Sequence, residues 1–226
     1  MMVLAMELST DVGSLAVLDD NRLAVELRWT GDRLGRFRLF GDVRRLVDAG
    51  ELDLAALDLI AVGVGPGSFS GLRMAVSAAC GMALPDRKPV FAVASDEALA
   101  WAILQETGAS QVGVVGDARR NEFWLGRFRA AAGLLEMQGK WDVLPCAALA
   151  NEKAGEGTIW VTPDWDRIGV RLSEVVPAGV KLLAERRVPE ARAVAALAVR
   201  KREAGVASLP LSPIYLHPPV AVQPHG

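Results

Sequence analysis

The stretch that most limits what this chain can become runs from Leu57 to Ala83. An apolar run, Leu57 to Val62, reads as a buried strand and opens directly onto GVGPGSFSG, in which Gly63, Gly65 and Gly67 bracket Pro66. A helix of small and apolar residues follows, with Ser68 placed to accept from its exposed N–H groups. Strand, glycine turn and helix N-terminus together make either a cradle for an anion or a close backbone contact. The residues alone leave a structural turn and a binding turn both open.

General phosphate motifs do not fit this turn. A dinucleotide fingerprint needs glycine or alanine where Ser68 stands, and an acidic residue at the end of the next strand, where Val93-Ala94-Ser95 has none. No lysine follows the glycines, which excludes a P-loop. Pro66 and Ser70 occupy the glycine positions of a hydrolase elbow around Ser68. In the helix, Phe69, Leu72, Val76, Cys80 and Ala83 mark one apolar face and Met74, Ala78 and Met82 another, while Arg73 is the one charge. Such a helix is either sandwiched in a core or offered to a partner, and its small residues permit close approach.

The rest of the chain reads as a repeated plan. Val3 to Leu8, Leu15 to Leu18 and Leu23 to Trp29 are expected strands, with a polar turn at Ser9-Thr10-Asp11 and a tight hairpin at Asp19-Asp20-Asn21. A helix is expected over Leu34 to Val47, with Leu39, Val43, Leu46 and Val47 at helical spacing and Gly50 as its stop. Val90 to Val93 reads as another strand, and Ser95 as the cap of a helix to Gln105. The pattern then restarts: Gln111 to Val115, a polar turn at Asp117 to Asn121, and Glu122 to Phe128. Short strands at Leu134 to Met137, Trp141 to Leu144 and Thr158 to Val161 and a short helix at Pro145 to Asn151 follow. Helices are expected over Pro177 to Arg187 and Pro189 to Glu203. Five prolines between Leu209 and Gly226 predict an extended tail. The expectation is an α/β chain of two lobes: residues 1–106, with mixed sheet and helices; residues 107–208, smaller, with late helices able to pack back on the first lobe; and the tail, 209–226.

Composition narrows function. With 226 residues, 51% apolar and 23% charged, the chain can bury a real core. A net charge of −2 lacks the cationic surface needed to grip a nucleic-acid backbone unaided, so RNA contact would come through a partner. Cys80 and Cys146 are the two cysteines and fit a reducing cytoplasm. MMVLAMELSTD lacks the cationic lead and apolar length of a signal peptide, and no run approaches the roughly 20 apolar residues of a membrane span. His217 and His225 both fall in the tail, so neither a metal site nor a nucleophile triad is expected.

At this point the motifs converge. Gly63 to Ala83 resembles the signature of the TsaB (YeaZ) family, with Ser70 where threonine is usual. Gly116 to Phe128, GDARRNEFWLGRF, resembles its second signature, and Pro213-Ile214-Tyr215-Leu216 its closing proline–x–tyrosine–leucine. Glu7 to Leu18 matches its opening turn, with Glu7 where the family has aspartate, and Gly31 to Arg36 departs from its usual histidine-serine helix start. The resemblance implies a two-lobed actin/Hsp70/sugar-kinase-like (ASKHA) fold. It implies a non-catalytic subunit of the tRNA threonylcarbamoyladenosine complex, partnered by a TsaD-like catalytic paralogue and a TsaE-like ATPase, with a homodimer of the isolated chain also expected. No catalytic, cofactor or metal residue is implied; ATP is expected only at a site composed with partners. The implied docking surface is the pair of first-lobe helices, at Leu39, Val43, Leu46, Phe69, Leu72, Arg73, Val76 and Cys80, with Gly63, Gly65, Pro66 and Gly67 shaping the turn. A nucleotide-dependent kinase of the same fold, using the turns at Ser9-Thr10 and Asp117-Ala118, is the alternative.

Overall fold

The computed structural model describes residues 1–30 and 38–216. Strand β1 (Met2–Glu7) is apolar without alternation because both of its faces are covered. Val3 and Ala5 point into a core shared between the two lobes, and Leu4 and Met6 into the outer core of the first. β2 (Val12–Asp19) and β3 (Arg22–Thr30) extend the sheet antiparallel from β1, through a hairpin whose tip residues Asp20 and Asn21 both have positive φ. β4 (Leu59–Gly63) and β5 (Val90–Val93) extend it parallel on the other side, giving the order β3-β2-β1-β4-β5.

The second sheet repeats this order. β6 (Gln111–Arg119) takes the central place of β1, with β7 (Glu122–Ala131) antiparallel and β10 (Ile159–Thr162) and β11 (Lys181–Arg186) parallel. β8 (Leu134–Met137) and β9 (Asp142–Pro145) pair with successive halves of β7, so together they stand where β3 stands in the first sheet. A 3-10 turn follows at Cys146–Asn151.

Helices cover both sheets. α1 (Arg38–Asp48) and α2 (Phe69–Ala83) lie on the outer face of the first sheet, and α4 (Trp165–Ser173) on the outer face of the second. α3 (Ser95–Thr107) and α5 (Ala191–Glu203) are exchanged between lobes: α3 packs on the second sheet, α5 on the first, and the two touch each other. Lys201 Nζ on α5 lies 2.6 Å from Glu97 Oε1 on α3, a largely buried ion pair that joins them. The duplicated order with exchanged helices is the two-lobed ASKHA fold.

Four local expectations need correction. Pro177 to Arg187 holds no helix: a turn with Gly179 at φ 84° leads into β11, whose Lys181 to Arg186 pairs with β10. A short apolar run such as Leu182-Leu183-Ala184 fits either periodicity, and pairing with an open sheet edge decided for the strand. α4 was not expected at all. Ser95 does not cap α3; it is the first helical residue, Ala94 is the N-cap, and the Ser95 hydroxyl accepts from Gly65 N at 2.9 Å. The last helix begins at Ala191, with Glu190 as its N-cap. The helix expected from Leu34 is seen from Arg38, and residues 31–37 lie outside the described residues.

α2 is held closely at its start. Ser68 N donates to Ser9 O at 2.6 Å, and the Ser68 hydroxyl accepts from Gly71 N at 3.3 Å. A Cβ at Gly71 would overlap the Leu8 carbonyl oxygen, whereas one at Gly81 would meet nothing. We therefore expect Gly71→Ala to lower stability by about 1–3 kcal/mol despite alanine's helix propensity. Gly81→Ala should raise it by about 0.5–1 kcal/mol. Urea unfolding reads both, and a stabilised Gly71→Ala protein would contradict the packing.

Candidate functional site

Two features are candidates: the cleft between the lobes and the outer face of α1 and α2. The cleft, about 1210 Å³, is floored by the first polar turn, the start of α2 and the second polar turn, and walled by Leu99, Val114, Trp124 and Ile214.

Four backbone donors of the polar turns are already engaged. Ser9 N donates to Glu7 Oε1 at 2.5 Å, and Val12 N to the Thr10 hydroxyl at 3.1 Å. Asp117 N donates to Asp164 Oδ2 at 2.8 Å, and Arg119 N to Asp117 Oδ1 at 2.9 Å. In the glycine turn, Gly65 N bonds Ser95 Oγ and Val64 N bonds Val93 O. Each turn thus takes its acceptor from the chain itself. Glu7 is turned inward, with Oε2 against Gly63, and burial pushes its pKa up against the hydrogen bonds it receives from Ser9 and Ser95.

Ion pairs then line the cleft mouth, and one of them crosses it. Arg186 at the end of β11 pairs with Asp11 of the first lobe and stands 3.5 Å from Asp166. Arg167 pairs with Asp164 and stands 3.4 Å from Asp117, which Arg119 also approaches at 3.3 Å. The described residues hold no group of three side chains able to bind a metal ion. His217 and His225 lie outside the described residues.

The docking positions separate into two sets. Leu39, Val43, Leu46 and Val76 are buried in the outer core of the first lobe, and Leu72 is buried beside Gly65. Phe69, Arg73 and Cys80 face solvent. The reason is the roll of α2: at 3.6 residues per turn, 69, 73, 77, 80, 81 and 84 form one stripe, and Gly71 pressed on Leu8 turns that stripe outward. Sequence spacing had merged Phe69 and Cys80 with Leu72 and Val76. Exposed residues not singled out there are Phe40 (54% exposed) and Leu84 (76%), and Val47, read with the apolar face of α1, is exposed too. Leu84 lies one turn beyond Cys80, which is the signal that could have found it. Gly63, Gly65 and Pro66 are buried in the turn, and a Cβ at Gly67 would overlap the Ser9 carbonyl.

The tail meets this face. Leu209 bridges Ala92, Ile214 N donates to Val64 O at 2.8 Å, and Tyr215 stacks on Phe69 with ring centroids 5.3 Å apart.

A family model described as TsaD, tRNA N6-adenosine threonylcarbamoyltransferase, matches residues 38–158. The solved structure of YeaZ from Pseudomonas aeruginosa superposes with a TM-score of 0.79 at 31% identity, covering 95% of this chain and 99% of that one. The chain belongs to the TsaB/YeaZ family. The tRNA threonylcarbamoyladenosine biosynthesis protein TsaB of Escherichia coli K12 is 26% identical over 191 residues, 81% of each chain. Its namesake in Haemophilus influenzae is 30% identical over 122 residues, 54% of this chain and 51% of that one. No helix among the described residues is long and apolar enough to cross a membrane.

One cleft residue is specific enough for a pH test. Asp96, on the first turn of α3, is buried, accepts from Trp141 Nε1 at 2.6 Å, and has its pKa raised to about 7, chiefly by burial. The folded state therefore binds more protons than the unfolded one between about pH 4 and pH 7, so this group's contribution falls as pH rises through that window. Asp96→Asn should remove that fall. Urea unfolding at pH 5 and pH 7.5 should show the wild type losing stability relative to the variant; parallel profiles would contradict the assignment.

Proposed function

We propose that this chain serves in tRNA threonylcarbamoyladenosine biosynthesis as a non-catalytic subunit. In this reading it holds a TsaD-like catalytic paralogue through the outer face of α1 and α2, and the assembly works with a TsaE-like ATPase in the cytoplasm. tRNA is reached through the complex rather than by this chain alone. The observation that carries the reading is the exposed stripe of α2, with Phe69, Ser77, Cys80, Gly81 and Leu84 facing outward and no carboxylate among them. Apolar and small side chains left outside on a tightly held helix fit helix-on-helix packing with a partner. Family membership supports the pathway, since relatives carry the name of that biosynthesis.

The kinase alternative is less well supported. Phosphate binding would draw on the backbone donors of the two polar turns, and four of these, from Ser9, Val12, Asp117 and Arg119, engage Glu7, Thr10, Asp164 and Asp117. Glu7, in the position the alternative needs for a metal-facing acid, is buried away from the cleft.

Reconstitution tests the proposal. The purified chain should not modify tRNA by itself and should restore threonylcarbamoyladenosine formation when added to its cognate partners. Unchanged product when the chain is omitted would sink it. Ser77→Glu and Leu84→Glu, which alter exposed positions, should abolish co-elution with the TsaD-like partner without shifting the thermal midpoint. Leu72 and Val76 are unsuitable here, because a charge in the core would test folding instead. Tight ATP binding by the isolated chain in calorimetry would favour the kinase.

A further inference from the structure

The hairpin joining β6 to β7 turns on three successive residues at positive φ: Arg119 at 68°, Arg120 at 50° and Asn121 at 62°. Asparagine takes this backbone readily, but a longer side chain there crowds the following carbonyl oxygen, so two arginines in a row are held at a conformational cost. α4 brings Arg167 and Arg171 alongside this tip. The four guanidinium groups fall into two kinds. Arg119 and Arg167 stand 3.3 and 3.4 Å from Asp117, and Arg167 also pairs with Asp164. Arg120 and Arg171 have no carboxylate partner among the described residues. Arg171 is nevertheless fixed: its Nη1 donates to Asn121 Oδ1 at 2.9 Å, and its guanidinium carbon lies 5.4 Å from the centroid of the Phe123 ring. Its Nε and second terminal nitrogen are left over. Asn121 thus holds Arg171 next to the exposed Arg120, and two uncompensated cations share one hairpin tip.

We propose that Arg120 and Arg171 form a contact site for the phosphodiester backbone of RNA, with Asn121 as the residue that positions Arg171. This rests on the reading above that the chain serves in tRNA modification, and it gives this chain a surface of its own that touches the RNA once the complex holds it. Guanidinium forks suit phosphate oxygens, and contacts of this kind set orientation without reading sequence. An acidic protein segment is less well matched. A stable protein interface needs an apolar core, whereas the exposed side chains of the tip are arginine and asparagine, with Val170 on α4 a single exposed apolar neighbour. Two phosphate contacts are few, which agrees with a chain of net charge −2 that does not grip RNA unaided.

The test titrates a fluorescently labelled, unmodified tRNA with the complex of this chain and the TsaD-like paralogue, read by anisotropy over a salt series. The complex carries wild type, Arg120→Gln, Arg171→Gln, the double variant, Asn121→Gly, or Arg22→Gln, an exposed arginine on β3. The double variant should bind about tenfold more weakly or worse. The log–log salt slope should become shallower by about 1 for each arginine removed. Asn121→Gly keeps the turn and both charges, so it should weaken binding less than Arg171→Gln and leave the slope as in wild type. Arg22→Gln should match wild type. Association with the TsaD-like paralogue and the TsaE-like ATPase should be the same for every variant. No tRNA binding by the wild-type complex would overturn the tRNA reading on which the inference rests. Wild-type binding matched by the double variant at every salt concentration would overturn the inference alone. So would an Arg22→Gln defect equal to that of Arg120→Gln, which would mean that net charge alone is sensed. Loss of either protein partner in Arg120→Gln or Arg171→Gln would overturn it too, by making the tip a protein contact.

Discussion

The contact on which the rest depends is between the start of α2 and the end of β1. Ser68 N bonded to Ser9 O, and Gly71 pressed against Leu8 O, leave α2 one position and one roll on the sheet. That roll sends Leu72, Ala75, Val76 and Ala79 into the core and leaves Phe69, Arg73, Ser77, Cys80 and Gly81 outside. The glycine turn is the means of this contact. Its backbone groups bond to Val93, Ser95 and Ile214, so strand, helix and tail meet at one point.

The same economy of donors explains the cleft. In a fold built from two copies of one plan, the equivalent turns face each other across the interlobe space, which suits a bound phosphate. Here Glu7 and Thr10 occupy two donors of one turn, Asp164 and Asp117 two of the other. Asp11 and Arg186 then tie the lobes together across the mouth. An exposed pair of this kind adds little stability, and its role is to favour one interlobe arrangement.

Much of the fold was legible in the residues. The continuous apolar β1 and β4, the Asp20-Asn21 turn, the Ser68 cap and the restart near Gln111 all follow from local chemistry. What was not legible depended on distant partners. Lys181 to Arg186 becomes a strand because β10 offers an edge, and Ser95 serves the glycine turn because Gly65 N lies above it. Cys80 and Val76 look equivalent on a helical wheel until the contact of Gly71 with Leu8 sets the roll. Arg73 read as one charge on an apolar helix; its alignment required Tyr215, 142 residues further on.

The central claim is that the exposed stripe of α2 is covered by another protein, and Cys80 lies in the middle of that stripe, exposed. The direct measurement is the rate of thiol labelling at Cys80 in a Cys146→Ser background, with and without a saturating TsaD-like partner. The account predicts rapid labelling of the isolated chain and at least ~10-fold slowing in the complex, as burial of a thiol limits its access. A complex that forms while Cys80 labels at its free rate would contradict it.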